Sequence, residues 1–129
     1  MAIFDTDVLI DHLRGYTGAH KLLLDFKDEK NYCSVITTGE LLFGMREHER
    51  EKTFALIGSL EEVSVNKEIV RLAHDVKSRA RAKNIQLELN DCIIAATAIK
   101  LNQILVTRND KHYPDNRLTL FVPDYPLTR

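Results

Sequence analysis

The sequence predicts an α/β fold, a three-layer α/β/α sandwich with a central, mostly parallel sheet. Three observations point to it. The short stretches Ala2 to Phe4 and Ile104 to Val106 contain no polar residue, as expected of strands covered on both faces. Between such stretches lie segments with helical spacing. The clearest is Lys67 to Asn84, where Ile69, Leu72, Ala73, Val76 and Ala80 recur on one face. Strand and helix then alternate along the chain, the pattern that builds a parallel sheet with helices on both sides.

Ala2 to Phe4 is the first strand. Asp7 to Arg14 follows as a short helix, with Val8, Leu9, Ile10 and Leu13 apolar and Gly15 in the C-cap position. Thr17 to Lys27 is a second helix, bearing Leu22, Leu23, Leu24 and Phe26. Asn31 to Ile36 is a strand. Thr37 to Arg50 is a helix whose end runs into the charged segment Arg46 to Lys52. Thr53 to Leu60 is a short helix and Val63 to Val65 a weak strand. After the long helix, Asn90 to Leu101 is a helix almost without charge, so it is expected to lie buried against the sheet. Ile104 to Val106 and Leu118 to Val122 are the last strands. Asn84 to Glu88 is a loop, and so is Asn109 to Arg117, where Pro114 forbids a regular helix interior.

The chain has 129 residues, which suits one domain spanning residues 1–129. Its formal net charge of -1 supplies no global basic field, so any nucleic-acid contact must use a local patch. Cys33 and Cys92 lie in apolar settings without CxxC spacing. They are expected to be buried free thiols in a reducing compartment. Asp5 and Asp7 interrupt the start of the chain, and no apolar run approaches membrane-spanning length. A cytoplasmic location without membrane contact is therefore expected. The absence of a Gly-rich phosphate loop and of G-x-S-x-G removes support for nucleotide-binding and serine-hydrolase readings.

The acids carry the functional signal. Asp5 closes the first apolar stretch, Glu40 lies in Ser34-Val35-Ile36-Thr37-Thr38-Gly39-Glu40-Leu41, and Asp91 opens Asp91-Cys92-Ile93-Ile94-Ala95-Ala96-Thr97-Ala98. Asp110 follows Ile104-Leu105-Val106-Thr107. The carboxyl ends of parallel strands line one crevice, where ligands bind. Carboxylates that converge there repel one another and stay ionised together only beside a cation. Each acid also has a capping explanation. Asp5 or Asp7 caps the first helix, Thr37 to Glu40 fits a capping box, Asn90 caps with Asp91 in the first turn, and Asp110 bonds its own loop backbone. Taken together, the apolar flanks of Asp5 and Asp91 favour a hard-metal site suited to phosphate chemistry, since buried carboxylates without partners are costly. Arg46, Arg108, Lys111 and His112 lie near the expected crevice and are candidates for touching phosphate. Lys77, Arg79, Arg81 and Lys83 are read equally as a solvated helix end or as a nucleic-acid contact. His12, His20, His48 and His74 lack metal-ligand spacing and are expected at the surface.

These segments resemble the PIN domain family, and most closely its VapC-like ribonuclease toxins of type II toxin–antitoxin pairs. Phe4-Asp5-Thr6-Asp7-Val8-Leu9-Ile10 is similar to the family's D-T-[SN]-V-L-I. Ser34 to Leu41 is similar to S-x-[IV]-T-x-x-E-L, and Asp91 to Ala98 to D-x-x-I-A-A-x-A. Leu105-Val106-Thr107-Arg108-Asn109-Asp110-Lys111-His112-Tyr113 resembles the segment that holds the fourth acid. The motifs occur in the family's order and span essentially the whole chain. Two departures stand out. Position 7 is Asp where the family usually has a small polar residue, which adds a carboxylate. Asn109 occupies the place of the fourth acid, so either Asp110, one residue later, contributes through water or Asn109 serves as a neutral ligand.

The resemblance implies a Mg²⁺- or Mn²⁺-dependent endoribonuclease. Asp5 and Asp91 would be the main metal ligands, Glu40 would hold a water or act as general base, and Asp110 would complete the set. It also implies an RNA substrate, a cognate antitoxin and a homodimer. Leu22, Leu23, Leu24, Phe26, Leu42, Phe43 and Phe54 offer the surplus apolar surface for that dimer. Two rivals are weaker. Asp5-Thr6-Asp7 resembles a haloacid-dehalogenase-type phosphatase with Asp5 as nucleophile, but that family continues with Gly-Thr where this chain has Val8-Leu9. A non-catalytic PIN-fold binding module would not need all three core acids.

Overall fold

The computed structural model describes residues 1–129. Its strands are β1 (Ala2–Phe4), β2 (Asn31–Ser34), β3 (Glu61–Val63), β4 (Ile104–Val106) and β5 (Leu120–Phe121). They form one sheet in the order β3-β2-β1-β4-β5. Every neighbouring pair is parallel, so the sheet is wholly rather than mostly parallel. β1 runs through the middle with Ala2, Ile3 and Phe4 fully buried, which explains why this strand has no polar face.

The helices are α1 (Thr6–Leu13), α2 (Thr17–Asp25), α3 (Val35–Gly44), α4 (Arg50–Gly58), α5 (Lys67–Ala82) and α6 (Leu89–Leu101). The pleat of the sheet sends alternate side chains to opposite faces and makes two cores. Ile3 and Leu105 join Ile69, Val76, Ile94 and Ala95 of α5 and α6 in one. Ala2, Phe4 and Val106 join Val8, Leu9, Leu22, Leu41 and Leu56 of α1 to α4 in the other. The sandwich therefore has three layers, as the alternation of elements predicts.

The boundaries differ where capping decides them. α1 starts at Thr6, because Asp5 is its N-cap and accepts from Thr6 N at 2.7 Å. Arg14 is the C-cap, and Gly15 follows with φ +82, a conformation that suits glycine. β2 stops at Ser34 and α3 starts at Val35. Ser34 Oγ accepts from Ile36 N at 3.1 Å, so Ser34 is the cap and the capping box at Thr37 to Glu40 does not form. Glu40 is thereby placed inside α3, with its side chain free for other partners. α3 ends at Gly44, and the charged segment after it makes a separate 3-10 turn, Glu47–Glu49, before α4. α6 starts at Leu89 with Glu88 as N-cap instead of Asn90, and Asp91 stays in the first turn. α2 is shorter than the apolar pattern suggests and ends at Asp25.

Not all of the apolar surface expected for a dimer is free. Leu22 is buried, and Phe26 packs edge-on against Phe4 at 5.5 Å between ring centroids. Leu24 and Phe54 remain exposed, and Phe43 on α3 is 96% exposed. Cys33 and Cys92 are buried and unpaired. No helix is long and apolar enough to cross a membrane.

Candidate active site

The strand order reverses beside β1. From β1 the chain first builds β2 and β3 on one side, then crosses to build β4 and β5 on the other. A crevice opens at the carboxyl ends of the strands where such a reversal occurs. Asp5 follows β1 directly, Thr107 follows β4, and α3 follows β2 with Glu40 on its second turn. Asp91 comes from the first turn of α6.

These residues are joined by short hydrogen bonds. Asp5 is 5% exposed. Its Oδ1 accepts from Thr6 N, and its Oδ2 accepts from Thr107 Oγ1 at 2.8 Å and from the Tyr113 hydroxyl at 2.9 Å. The Tyr113 hydroxyl also lies 3.5 Å from Asp91 Oδ1. One hydroxyl hydrogen serves one acceptor at a time, and Asp5 is the nearer. Asp91 Oδ2 faces His112 Nδ1 at 3.3 Å. Thr6 Oγ1 donates to Glu40 Oε1 at 2.7 Å and shares a 3.0 Å hydrogen bond with Thr37 Oγ1. Asp5, Glu40 and Asp91 thus belong to one network, linked through Thr6 and Tyr113.

The electrostatics are those of crowded carboxylates. Burial pushes the Asp5 carboxyl above its ordinary range and Glu40 adds to this, while the Thr107, Tyr113 and Thr6 donors oppose it. Asp91 is raised by burial and then by the Asp5 charge, with His112 working the other way. Asp7 is pushed up to about 6, by burial first and by Asp5 second. Its carboxylate accepts from Val8 N at 2.7 Å and from Arg108 N at 3.0 Å. The extra acid therefore lies against the site and fastens the loop after β4 to α1.

Not every expected residue joins the network. Asp110 opens the 3-10 turn Asp110–His112, is exposed, and makes no polar contact with Asp5, Glu40 or Asp91. Asn109 is also exposed, and its N–H donates to Thr107 Oγ1 at 3.0 Å. Arg108 is not free to meet a phosphate. Its guanidinium grips Asp11, a carboxylate only 2% exposed, which also accepts from the Tyr125 hydroxyl at 2.7 Å. Arg46 is exposed and lines a groove of about 450 Å³ whose wall includes Glu40. Lys111 is exposed on the 3-10 turn. Arg14, Lys52 and Arg129 line the same groove as Arg46, and none of these four cations is paired with a carboxylate.

No three acidic or histidine side chains close on a common ligating point. The donors nevertheless fit a hard cation. They are carboxylates and hydroxyls, and the raised Asp5, Asp7 and Asp91 carboxyls carry a repulsion that a divalent ion would relieve. Sequence reasoning missed Thr6, Thr107 and Tyr113. Thr107 had a signal, since it is the first polar residue after an all-apolar strand. Tyr113 had none, because an aromatic residue in an irregular loop follows no period.

Comparisons with known proteins agree with this architecture. The family model described as PIN domain matches residues 2–116. "Ribonuclease VapC10" from Mycobacterium tuberculosis is 38% identical over 115 residues, covering 88% of this chain and 86% of that protein. "Ribonuclease VapC1" from Methanocaldococcus jannaschii is 30% identical over 112 residues, covering 86% of this chain and 77% of that protein. Among solved structures, a chain of a toxin–antitoxin complex from Klebsiella pneumoniae superposes with a TM-score of 0.81 at 25% identity, covering 96% of this chain and 98% of that one. A chain of VapBC2 from Rickettsia felis, bound to a promoter DNA fragment, gives a TM-score of 0.85 at 21% identity, covering 95% and 98%. With its parallel sheet, its acids around β1 and these relatives, the chain belongs to the PIN domain family.

Proposed function

We propose that this protein is a Mg²⁺- or Mn²⁺-dependent endoribonuclease and the toxin of a type II toxin–antitoxin pair, acting in the cytoplasm. The observation that carries the reading is the placement of Asp5, Glu40 and Asp91 in one network at the carboxyl ends of the strands. Relatives named as ribonucleases support it. When bound, a divalent cation supplies charge neutralisation at the phosphate and a more acidic water. Asp5 and Asp91 would hold it. Glu40 uses only Oε1 within the protein, on Thr6, so Oε2 is available to orient a water and take its proton. Thr107 and Thr6 fix the rotamers of the acids they touch. Asp110, exposed on its turn, would contribute through water.

RNA would reach the acids along the groove that Glu40 shares with Arg46. Arg46, Arg14, Lys52 and Arg129 would meet its phosphates there, and Lys111, exposed on its 3-10 turn, is a further candidate contact. Arg108 keeps a positioning part, holding the loop after β4 on α1. An antitoxin partner is supported by structural neighbours that are toxin–antitoxin complexes. A homodimer is supported by the exposed Leu24, Phe43 and Phe54.

The test is RNA cleavage by Asp5→Asn and Asp91→Asn protein, with and without a chelator. Each variant should lose at least about 100-fold in rate, the scale of removing a metal ligand or its support. Both should keep the wild-type melting profile without metal, because losing one charge relieves repulsion. Chelation should silence the wild type. Wild-type cleavage by purified Asp5→Asn protein, or chelator-resistant cleavage, would overturn the reading. A covalent phosphate on Asp5 would favour the phosphatase rival instead.

A further inference from the structure

Asp5 has almost no acceptor capacity left. A carboxylate offers about four lone-pair positions. Thr6 N uses one on Oδ1, while Thr107 Oγ1 and the Tyr113 hydroxyl use both on Oδ2. Tyr113 is 3% exposed, and its hydroxyl lies between the two carboxylates assigned to the metal, 2.9 Å from Asp5 and 3.5 Å from Asp91. Thr107 is fixed to the sheet, since its N–H donates to Phe121 O at 3.1 Å. Thr6 N belongs to a helix start. Tyr113 is the one donor of the three that comes from a loop. That loop is braced on its far side by Arg117, which bonds Asp115 at 2.7 Å and Asp75 of α5 at 2.9 Å.

We propose that the Tyr113 hydroxyl competes with a divalent cation for Asp5 Oδ2, so that metal binding through this oxygen requires the hydroxyl to release it. The inference rests on the metal-dependent reading above. In the closed arrangement the hydroxyl hydrogen, a partial positive charge, is given to Asp5 while its oxygen lies 3.5 Å from Asp91. It stabilises the carboxylates without metal and lowers the gain from binding one. A charge-assisted hydrogen bond must be given up before the cation gains Asp5 Oδ2. The ring itself is not involved. It packs in the core with residues of α5 and α6, and phenylalanine would fill the same space.

The test compares wild type with Tyr113→Phe, measuring Mn²⁺ affinity from the free-ion signal in electron paramagnetic resonance, without RNA. The variant should bind Mn²⁺ about tenfold more tightly, as expected when one charge-assisted hydrogen bond no longer opposes binding. Equal or weaker binding by the folded variant overturns the proposal, and weaker binding would make Tyr113 a support for the metal. The chain has 4 Tyr and 0 Trp, so its emission also reports on tyrosine in the wild type. A carboxylate hydrogen bond quenches tyrosine emission. Mg²⁺ should raise the signal saturably as Tyr113 is released, and a flat titration overturns the proposal even if the variant fails to fold. If neither protein binds Mn²⁺, the metal reading itself fails. Equal binding by both removes the Tyr113 proposal alone.

Discussion

Asp7 is costly to keep ionised. Its carboxyl is raised to about 6 by burial and by Asp5, while an unfolded chain would have it near its ordinary 3.8. Between those values the folded state holds a proton that the unfolded state has released. This group's contribution to stability is therefore complete below the ordinary value and is lost as pH rises through about 6. Comparing wild type with Asp7→Asn isolates the effect from the histidines, which are common to both. In chelator-treated protein, the stability difference should move in favour of the wild type by about 1 kcal/mol as pH falls from roughly 7.5 to 5. Urea unfolding at the two pH values measures it, and an unchanged difference would contradict the assignment. Asp7 was legible in the sequence as an additional acid. Its bond to Arg108 N was not, because residues 7 and 108 meet only after β1 and β4 pair. The same holds for Arg108 itself. Its position after Thr107 suggested a phosphate contact, yet its partner Asp11 lies on the buried side of α1, which periodicity alone does not pair with anything.

At the scale of elements, the tail after β5 lies across α1 and α2. Tyr125 bonds Asp11, and Thr17 N donates to Thr128 O at 3.0 Å. Gly18 makes the close approach possible. A Cβ built there would lie 2.2 Å from Tyr125 Cβ and 2.6 Å from its Cγ. Gly→Ala inside a helix ordinarily stabilises by up to about 1 kcal/mol. Here Gly18→Ala should destabilise by about 1–3 kcal/mol, because the collision is with atoms next to backbone that cannot swing aside. Chemical denaturation decides the sign, and a gain in stability would mean that the tail is not packed there. The sequence marked the elements well where α5 kept a clean helical period, where β1 and β4 were unbroken apolar runs and where α6 was almost without charge. It failed at the junctions. Ser34 caps α3 three residues before the expected start, and the charged run after Gly44 splits into a 3-10 turn and α4. Competing caps within a few residues look alike in sequence, and only the packing of β2 selects Ser34.

At the scale of the whole molecule, two assemblies are expected. The first is a symmetric dimer through the exposed apolar side chains of the early helices, with Phe43 as its least covered member. Light scattering should give twice the chain mass, and Phe43→Ser should shift the mass towards the monomer. A monomeric wild type at high concentration would remove this expectation. The second is inhibition by an antitoxin tail that places an Arg or Lys among Asp5, Glu40 and Asp91. Such a cation and a divalent ion would answer the same repulsion, so their binding should be mutually exclusive. Titration calorimetry of the partner at low and high Mg²⁺, with ionic strength held constant, should show weaker binding at high Mg²⁺. Equal affinities would point to a partner that blocks RNA access without entering the site.

The central position of β1 has a consequence for synthesis. The first strand made is the one that all later strands are built around, and its Asp5 waits for Thr107 and Tyr113, 102 and 108 residues further along the chain. A ribosome releases these parts in order, at about 5–20 residues per second. For several seconds the growing polypeptide has its first carboxylate but neither β4 nor the loop that completes its surroundings. The cutting centre proposed above could thus not assemble beside the message that encodes it until Tyr113 has emerged. The order of strands in the sheet would delay the proposed activity independently of any partner protein.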